Sequence, residues 1–205
     1  MTKVDLALVL AVDCSSSVDA GDYRLQMFGI AQALRNPKVL DAIQSGENQR
    51  IAFALVQWST RKSQYIIIKW RLLATQDDLF QTARDIESAE RQWQIGGTGL
   101  ASAIDFCAAL IAKLTVDAAR KVIDISGDGE ENDDGDVAFA RSAAIAQGIS
   151  INGLPILDGS RTIEAYYRYR VIGGPGSFLM PAANSAAFGE AMEQKLLREI
   201  GPQTA

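Results

Sequence analysis

Four segments of the chain are almost continuously apolar, and polar residues or glycines bound each of them. Strands that are covered by helices on both faces have this pattern. In the longer segments between them apolar residues recur three and four positions apart, as at Ile104, Ala108 and Ile111, a spacing typical of helices. The pattern predicts central strands at residues 4–12, 51–58, 122–125 and 149–156.

Two further strands complete the predicted sheet. Residues 64–72 carry charge and follow a tight polar connection, which indicates a hairpin to an antiparallel edge strand, and a short last strand is predicted at residues 178–180. The alternation of strands and helices predicts an α/β fold. It is three-layered and Rossmann-like, with a mostly parallel sheet of about six strands, one antiparallel edge strand and helices on both faces. The predicted helices are residues 19–34, 37–43, 76–91, 99–114, 134–147, 163–171 and 186–200.

A single domain over residues 1–205 accounts for the whole pattern, because no repeat or change of composition divides the chain. A domain of this length buries roughly 70% of the surface of its unfolded chain, so its folding does not require a metal or a disulfide. The two cysteines, Cys14 and Cys107, lack the spacing of a metal site. We predict that they are small buried side chains rather than a disulfide.

Charge and composition exclude several classes of function. The net charge is -5 and no cluster of Lys and Arg is present, so nucleic acid is not an expected partner. The chain has no histidine, which excludes His-based triads and the usual imidazole zinc sites. No stretch approaches the ~20 consecutive apolar residues of a membrane-spanning helix, so no span is predicted.

The first predicted strand ends in D-C-S-S-S, which places Asp13, Ser15 and Ser17 two positions apart at the carboxyl edge of the sheet. Open α/β sheets bind their ligands at this edge. Three oxygen-bearing side chains with this spacing indicate a cation site. Serine and aspartate are also common helix N-caps, and Ser17 stands just before a predicted helix. From this segment alone both interpretations stay open.

Two other breaks in the pattern add oxygen ligands. One strand runs into S-G-D-G, which puts Asp128 at a second strand end, beside glycines that let the backbone turn sharply. Between the two segments, G-G-T-G opens a helix and presents the hydroxyl of Thr98. A phosphate-binding loop is the weaker interpretation of G-G-T-G, because it follows a helix-like stretch and lacks the lysine of a P-loop.

In this order, D-C-S-S-S, G-G-T-G and a strand ending in S-G-D-G resemble the metal-ion-dependent adhesion site of von Willebrand factor A (vWA) domains. The resemblance covers nearly the whole chain, including R-I-A-F-A-L-V-Q-W-S as the second strand and G-I-S-I-N-G-L-P-I as the fifth. It extends to a group of uncharacterised bacterial proteins built on this domain. The family pattern puts Asp13, Ser15 and Ser17 in its first motif, Thr98 in its second and Asp128 in its third.

The resemblance implies a divalent ion that is contacted by the hydroxyls and bound by the aspartates directly or through water. A set of about six oxygens that includes several waters suits Mg²⁺ or Mn²⁺ better than Ca²⁺. An exchangeable water then leaves a position for an Asp or Glu carboxylate of a partner protein. The implied function is metal-dependent protein binding, in adhesion or recognition, without enzymatic activity.

Two other functions stay open. A metal-dependent phosphatase or hydrolase would use the ion to activate water, although Ser15 stands where aspartyl-phosphate enzymes have a second Asp. A structural module is the other alternative, since some vWA-type domains act beside ATPases in larger assemblies. Location is open too. The resemblance favours a periplasmic or secreted protein whose leader has been removed, whereas the polar start M-T-K-V-D, which is no signal peptide, favours the cytoplasm.

Acidic residues near the third motif have two interpretations each. Asp124 lies within a predicted buried strand, where the family has an apolar residue, and a buried carboxylate must be paired or hydrogen-bonded. We favour a structural role for it over a ligand role. The following acidic run has the composition of a calcium loop but not its spacing, so we predict a solvated rim that partly caps the next helix. This run comprises Glu130, Glu131, Asp133, Asp134 and Asp136.

An aromatic and basic segment precedes the glycine-rich residues 173–176. It provides either interface anchors or a helix that packs on the sheet, and both interpretations stay open. Its residues are Tyr166, Tyr167 and Tyr169 with Arg161, Arg168 and Arg170. For the three tryptophans, Trp58, Trp70 and Trp93, we predict packing in the core or at its rim.

Overall fold

One five-stranded sheet organises the protein in the computed structural model, which describes residues 2–201. Its strands are β1 (Lys3–Asp13), β2 (Ile51–Trp58), β3 (Gln64–Leu73), β4 (Asp117–Gly127) and β5 (Ile149–Pro155). They lie in the order β3-β2-β1-β4-β5, and all neighbours are parallel except β2 and β3. The predicted α/β fold with one antiparallel edge strand is therefore confirmed.

Helices cover both faces of the sheet, so its inner strands contact apolar side chains on both sides. Leu8 and Leu10 of β1 pack with α1, α2, α3 and α7, whereas Val9 and Ala11 pack with α4, α5 and the segment that begins with α6. This alternation explains the nearly continuous apolar run of β1. The helices are α1 (Ala20–Arg35), α2 (Pro37–Gln44), α3 (Gln76–Glu87), α4 (Leu100–Ala112), α5 (Val137–Ala146), α6 (Ile163–Tyr166) and α7 (Phe188–Ile200).

The predicted sixth strand, residues 178–180, is wrong. This segment forms only isolated bridges beside β5, at Leu179 and Ala182. The Gly153 N–H donates to the Phe178 carbonyl, and the Met180 N–H donates to the Gly153 carbonyl. The next ladder bond would need an N–H at Pro155, which proline lacks. The pairing resumes only beyond Pro155, and no continuous strand forms.

Helix ends differ from the predicted ones where capping side chains set them. Asp19 accepts hydrogen bonds from the Gly21 and Asp22 N–H groups and is therefore the N-cap of α1 rather than its first residue. The helix α3 begins after a capping box at Thr75 and ends at Glu87, four residues before the predicted end. The predicted helix at residues 163–171 is α-helical only to Tyr166 and continues as a π-helical turn, Tyr167–Val171.

Asp124 is paired, as its predicted structural role requires. Its Oδ1 atom lies 2.9 Å from Lys195 Nζ, which also lies 2.6 Å from Glu199 Oε1. All three side chains are buried, and Asn152 donates a further hydrogen bond to Glu199 Oε1. Burial and the neighbouring Glu199 raise the pKa of Asp124 above its ordinary value, against the opposing effect of Lys195. These contacts join β4 to α7 in the middle of the sheet.

The remaining sequence predictions concern cysteine and tryptophan. Cys14 and Cys107 are both buried and free, as predicted. Trp58 is fully buried in the core, and Trp70 and Trp93 are partly buried, which confirms packing roles in the core and at its rim. Among residues 2–201, no helix is both long enough and apolar enough to cross a membrane.

Candidate metal centre

The first motif forms a tight turn at the end of β1. The backbone N–H of Ser15 donates to Asp13 Oδ1 at 2.7 Å, so the carboxylate is held by its own turn. The hydroxyls of Ser15 and Ser17 lie 3.1 Å apart. Asp13 and Ser15 are buried, whereas Ser17 is exposed. The three side chains therefore lead from the protein interior to the surface at the carboxyl edge of the sheet.

The third motif meets the first because β1 and β4 are neighbours in register. Val12 pairs with Ser126, which brings the ends of both strands to the same edge. The Ser17 hydroxyl donates to Asp128 Oδ1 at 2.6 Å. The structure thus brings Asp13, Ser15, Ser17 and Asp128 together, although Asp128 is 111 residues away from Ser17 in the sequence.

Thr98, which stands between the two other motifs in the sequence, lies at the same edge of the sheet beside Gly129. It is buried, its N–H donates to Asn132 Oδ1 at 2.7 Å, and the N–H of Asn132 donates back to the Thr98 carbonyl. Its hydroxyl faces Gly129, where a methyl group would lie 3.0 Å from Thr98 Oγ1. The described residues show no hydrogen bond from this hydroxyl to the other four side chains of the candidate site. Thr98 therefore joins the cluster through its position beside the turn after Asp128.

The two carboxylates are placed where their negative charge is costly. Burial and, to a smaller extent, the charge of Asp128 together raise the pKa of Asp13 to about 7, against the opposing effect of the hydrogen bonds from Ser15. Burial also raises the pKa of Asp128. Asp13 Oδ2 is buried and has no hydrogen-bond partner among residues 2–201. A bound cation would remove both costs, because it would accept this oxygen as a ligand and neutralise the charge.

The composition of the cluster suits a hard divalent ion. Two carboxylates and three hydroxyls provide oxygen ligands only, which is the donor set that Mg²⁺ and Mn²⁺ prefer. In the described part of the chain no three His, Cys, Asp or Glu side chains lie together as metal ligands. The candidate site has only two carboxylates, so its capacity for an ion depends on the serine and threonine hydroxyls.

Several residues that support the site were not predicted. Arg91 was placed in a helix, but it lies beyond the end of α3 and donates to the carbonyls of Cys14 and Ser15 at 3.1 and 2.8 Å. Ser16 binds the Gly96 backbone through its N–H and its hydroxyl. These bonds fix the first turn against the loop that leads to Thr98, and no pattern in the sequence indicated them.

The acidic run after Asp128 is only partly a solvated rim. Asp136 accepts a hydrogen bond from the Phe139 N–H and caps α5, as predicted. Glu131 is partly buried and accepts from the N–H groups of Ala101, Asp133 and Gly135. The carboxylate of Asp133 accepts from the Arg61 N–H. Much of this acidic charge therefore holds loops together.

The structure bears on only one of the two interpretations of the aromatic segment, the packing of a helix on the sheet. Tyr167 is fully buried and packs on the sheet, whereas Tyr169 is 72% exposed. The Tyr167 hydroxyl, like Asp13 Oδ2, is buried without a hydrogen-bond partner among residues 2–201. Burial, together with the charges of Asp13 and Asp128, raises the pKa of Tyr167 well above its ordinary value, so the phenol is neutral.

Comparison with known proteins confirms the predicted fold family. The sequence model of a family described as "Protein of unknown function (DUF1194)" matches residues 3–204. No curated protein matches the chain by sequence. Solved vWA-type structures do match it, and they show that the chain has the vWA-type fold.

Three solved structures illustrate this similarity. A von Willebrand factor type A protein from Catenulispora acidiphila has a TM-score of 0.68 and 14% identity over 98% of this chain and 44% of its own. Proximal thread matrix protein 1 from the mussel byssus, with a zinc-occupied MIDAS motif, has a TM-score of 0.66 and 16% identity over 96% of this chain and 46% of its own. BatB from Bacteroides thetaiotaomicron has a TM-score of 0.61 and 17% identity over 95% of this chain and 98% of its own. The chain thus spans less than half of the first two proteins.

Proposed function

The chain belongs to the DUF1194 family of proteins of unknown function, and we propose that it is a non-enzymatic binding module that holds Mg²⁺ or Mn²⁺ and recognises a carboxylate of a partner protein. One observation carries the proposal. Asp13, Ser15, Ser17 and Asp128 converge at one sheet edge, where the buried Asp13 Oδ2 has no partner among the described residues. A carboxylate oxygen without a partner at a ligand-binding edge fits a cation site.

The five side chains have different tasks in this proposal. Asp13 and Asp128 supply the negative charge that attracts the ion. Ser15, Ser17 and Thr98 supply neutral hydroxyl ligands, so the two carboxylates balance the charge of the ion without a surplus of negative charge. When bound, the ion supplies an electrophilic position that an Asp or Glu side chain of a partner can occupy in place of water. The zinc-occupied site of the mussel byssus protein supports a divalent ion in this fold.

A binding role also agrees with the chemistry of the neighbouring groups. The thiol of Cys14 lies next to Asp13, but burial raises its pKa to about 12, so it is not a nucleophile near neutral pH. The Ser15 and Ser17 hydroxyls contact each other, Ser17 also donates to Asp128, and the chain has no histidine that could activate either serine. These features favour recognition over covalent chemistry.

Isothermal titration of chelator-treated protein with Mg²⁺ and Mn²⁺ tests the ion site. We expect one site per chain in the wild type and none in Asp13→Ala. Asp77→Ala is the matched control, because Asp77 is an exposed aspartate on α3 and its loss leaves the site intact. Parallel titrations with Zn²⁺ and Ca²⁺ establish the preference. Absence of binding in the wild type, or equal binding in Asp13→Ala, contradicts the proposal.

The open position is tested with Mn²⁺ as a paramagnetic probe and acetate as the simplest carboxylate. Water exchanging on bound Mn²⁺ accelerates the relaxation of solvent protons, and acetate should reduce this effect by displacing the water. Chloride at the same ionic strength is the control. If acetate leaves the relaxation of the Mn²⁺-loaded protein unchanged, the ion does not accept a partner carboxylate.

We also propose that the module acts outside the cytoplasm, in the periplasm or after secretion. Its structural likeness to a matrix protein of the mussel byssus supports this location. Immunoblotting of periplasmic, secreted and cytoplasmic fractions of the source cells checks it, and recovery in the cytoplasmic fraction alone contradicts it.

A further inference from the structure

Tyr167 presents a buried hydroxyl that packing alone does not explain. Its side chain has no exposed surface, and its hydroxyl has no hydrogen-bond partner among residues 2–201. Phenylalanine would fill the same space without burying an unsatisfied polar group. Buried polar atoms of native proteins nearly always have a partner, so this hydroxyl indicates a group that lies beside it in the working protein.

The hydroxyl points into the space beside the candidate metal site. A methyl group on Gly127 would lie 2.8 Å from the Tyr167 hydroxyl oxygen and 2.8 Å from Asp13 Oδ2. Both oxygen atoms therefore border the small space that Gly127 leaves open, next to Asp128. One is a neutral O–H donor and the other a carboxylate acceptor, and both lack partners among the described residues. A water molecule between them would satisfy both, since buried waters bridge such groups.

The backbone holds the ring in this place. Tyr167 is the first residue of the π-helical turn, and its carbonyl accepts from the Ile172 N–H, five residues on. The ring lies against Gly153 of β5, where a methyl group would be 3.0 Å from Tyr167 Cδ1. The ring fits because Gly127 and Gly153 lack side chains. π-Helical turns are rare in proteins, and those that occur are often found at functional sites.

We propose that Tyr167 is a positioning residue of the metal site, whose hydroxyl holds a water molecule that also contacts Asp13 Oδ2. This inference rests on the proposed function, because it requires an ion at Asp13. Groups that hydrogen-bond to metal ligands orient them, and their removal typically weakens metal affinity about 10- to 100-fold. Through this water molecule, Tyr167 links the π-helical turn to the metal site.

The test compares Tyr167→Phe with Tyr166→Phe by isothermal titration with Mn²⁺ and Mg²⁺. We expect Tyr167→Phe to bind about tenfold more weakly than the wild type. Tyr166 is the matched control, since it is the adjacent tyrosine and its hydroxyl contacts the Glu131 N–H instead of Asp13. Its variant should bind within about twofold of the wild type. Equal affinity of Tyr167→Phe and the wild type overturns the inference.

Thermal unfolding with and without metal separates this role from a structural one. Tyr167→Phe keeps the packing of the ring and loses one hydrogen bond to water, so the Tm of the metal-free protein should change little. The rise of Tm on adding Mn²⁺ should be smaller than in the wild type, because an ion that binds more weakly stabilises the folded protein less. A lower metal-free Tm with an undiminished Mn²⁺ effect shows that the hydroxyl serves packing and overturns the inference.

A second variant keeps the inference testable if Tyr167→Phe does not fold. Gly127→Ala retains both oxygen atoms but places a methyl group in the space between them, and we expect it to weaken Mn²⁺ binding at least as much. Wild-type affinity in a folded Gly127→Ala protein overturns the inference. If Asp13→Ala loses Mn²⁺ binding and Tyr167→Phe binds like the wild type, the proposed metal site is supported and only the role of Tyr167 is contradicted. Absence of Mn²⁺ binding in the wild type contradicts both the proposed metal site and the role of Tyr167.

Discussion

Asp13 and Asp124 are buried carboxylates on neighbouring strands of one sheet, but their surroundings differ. Asp124 has Lys195 Nζ at 2.9 Å, and Lys195 is shared with Glu199. Asp13 receives an N–H bond on one oxygen, and its other oxygen has no partner among residues 2–201. Burial raises the pKa of both. The chain thus supplies a cation for one carboxylate and leaves the other without one at the edge of the sheet, where we propose that an ion binds.

This contrast separates structural from functional charge. A buried carboxylate with an internal cation stabilises one arrangement of β4 and α7 and cannot exchange its partner without unfolding. The carboxylate at the sheet edge has no internal cation, and in our proposal it binds an ion reversibly. The comparison makes three predictions, which follow from the largest expected effect to the smallest.

Removing the internal cation should have the largest effect on stability. Lys195→Met leaves Asp124 and Glu199 buried without their common partner, and breaking such a pair costs about 3 kcal/mol or more. Urea denaturation measures the loss in the free energy of unfolding. Lys38→Met is the control, since Lys38 is exposed on a helix and its replacement should change stability by less than about 0.5 kcal/mol. Similar stability of both variants would show that Lys195 is not required.

Replacing each carboxylate by its amide should change stability in opposite directions. Asp124→Asn weakens the ion cluster and should cost about 2 kcal/mol. Asp13→Asn keeps an oxygen for the Ser15 N–H and removes a buried charge, so the metal-free protein should gain about 1 kcal/mol. Urea denaturation at about pH 8 compares them, because there most Asp13 is ionised in the wild type. If both amide variants were less stable than the wild type, the proposed difference between the two carboxylates would be contradicted.

Sequence alone predicted one side of this comparison much better than the other. The spacing of Asp13, Ser15 and Ser17 at a strand end is local, so the sequence displays it. Lys195, by contrast, lies in a helix among other polar residues, and only the packing of α7 on β4 brings it to Asp124. The sequence indicated that Asp124 needs a partner, because its strand is buried, but not which partner.

The other errors and omissions have the same physical origin. The apolar pattern predicted the five strands of the sheet, whereas the missing sixth depends on the absent N–H of Pro155 opposite Met180. The early end of α3 depends on local capping and frees Arg91 to bind the first motif. The sequence left two interpretations of the segment of Tyr167 open, since Gly127 and Gly153 make room for its ring only after β4 and β5 have paired. Contacts between distant segments are set by tertiary packing, which periodicity does not report.

The dependence of stability on pH should distinguish the two carboxylates by a smaller effect. A carboxyl whose pKa is higher in the folded than in the unfolded protein stabilises the fold below the unfolded value and loses that contribution as pH rises through the folded value. For metal-free Asp13 the loss runs from about pH 4 to about pH 7. Mg²⁺ binds the ionised form, so the stabilisation by saturating Mg²⁺ should grow by about 1 kcal/mol between about pH 6 and pH 7. Urea denaturation with Mg²⁺ or with chelator measures it. Asp124→Asn should retain this growth, because Asp124 is paired with Lys195 and is not a ligand of the proposed ion, and Asp13→Asn should abolish it. A Mg²⁺ effect that is constant with pH would mean that Asp13 does not take up the ion as a carboxylate.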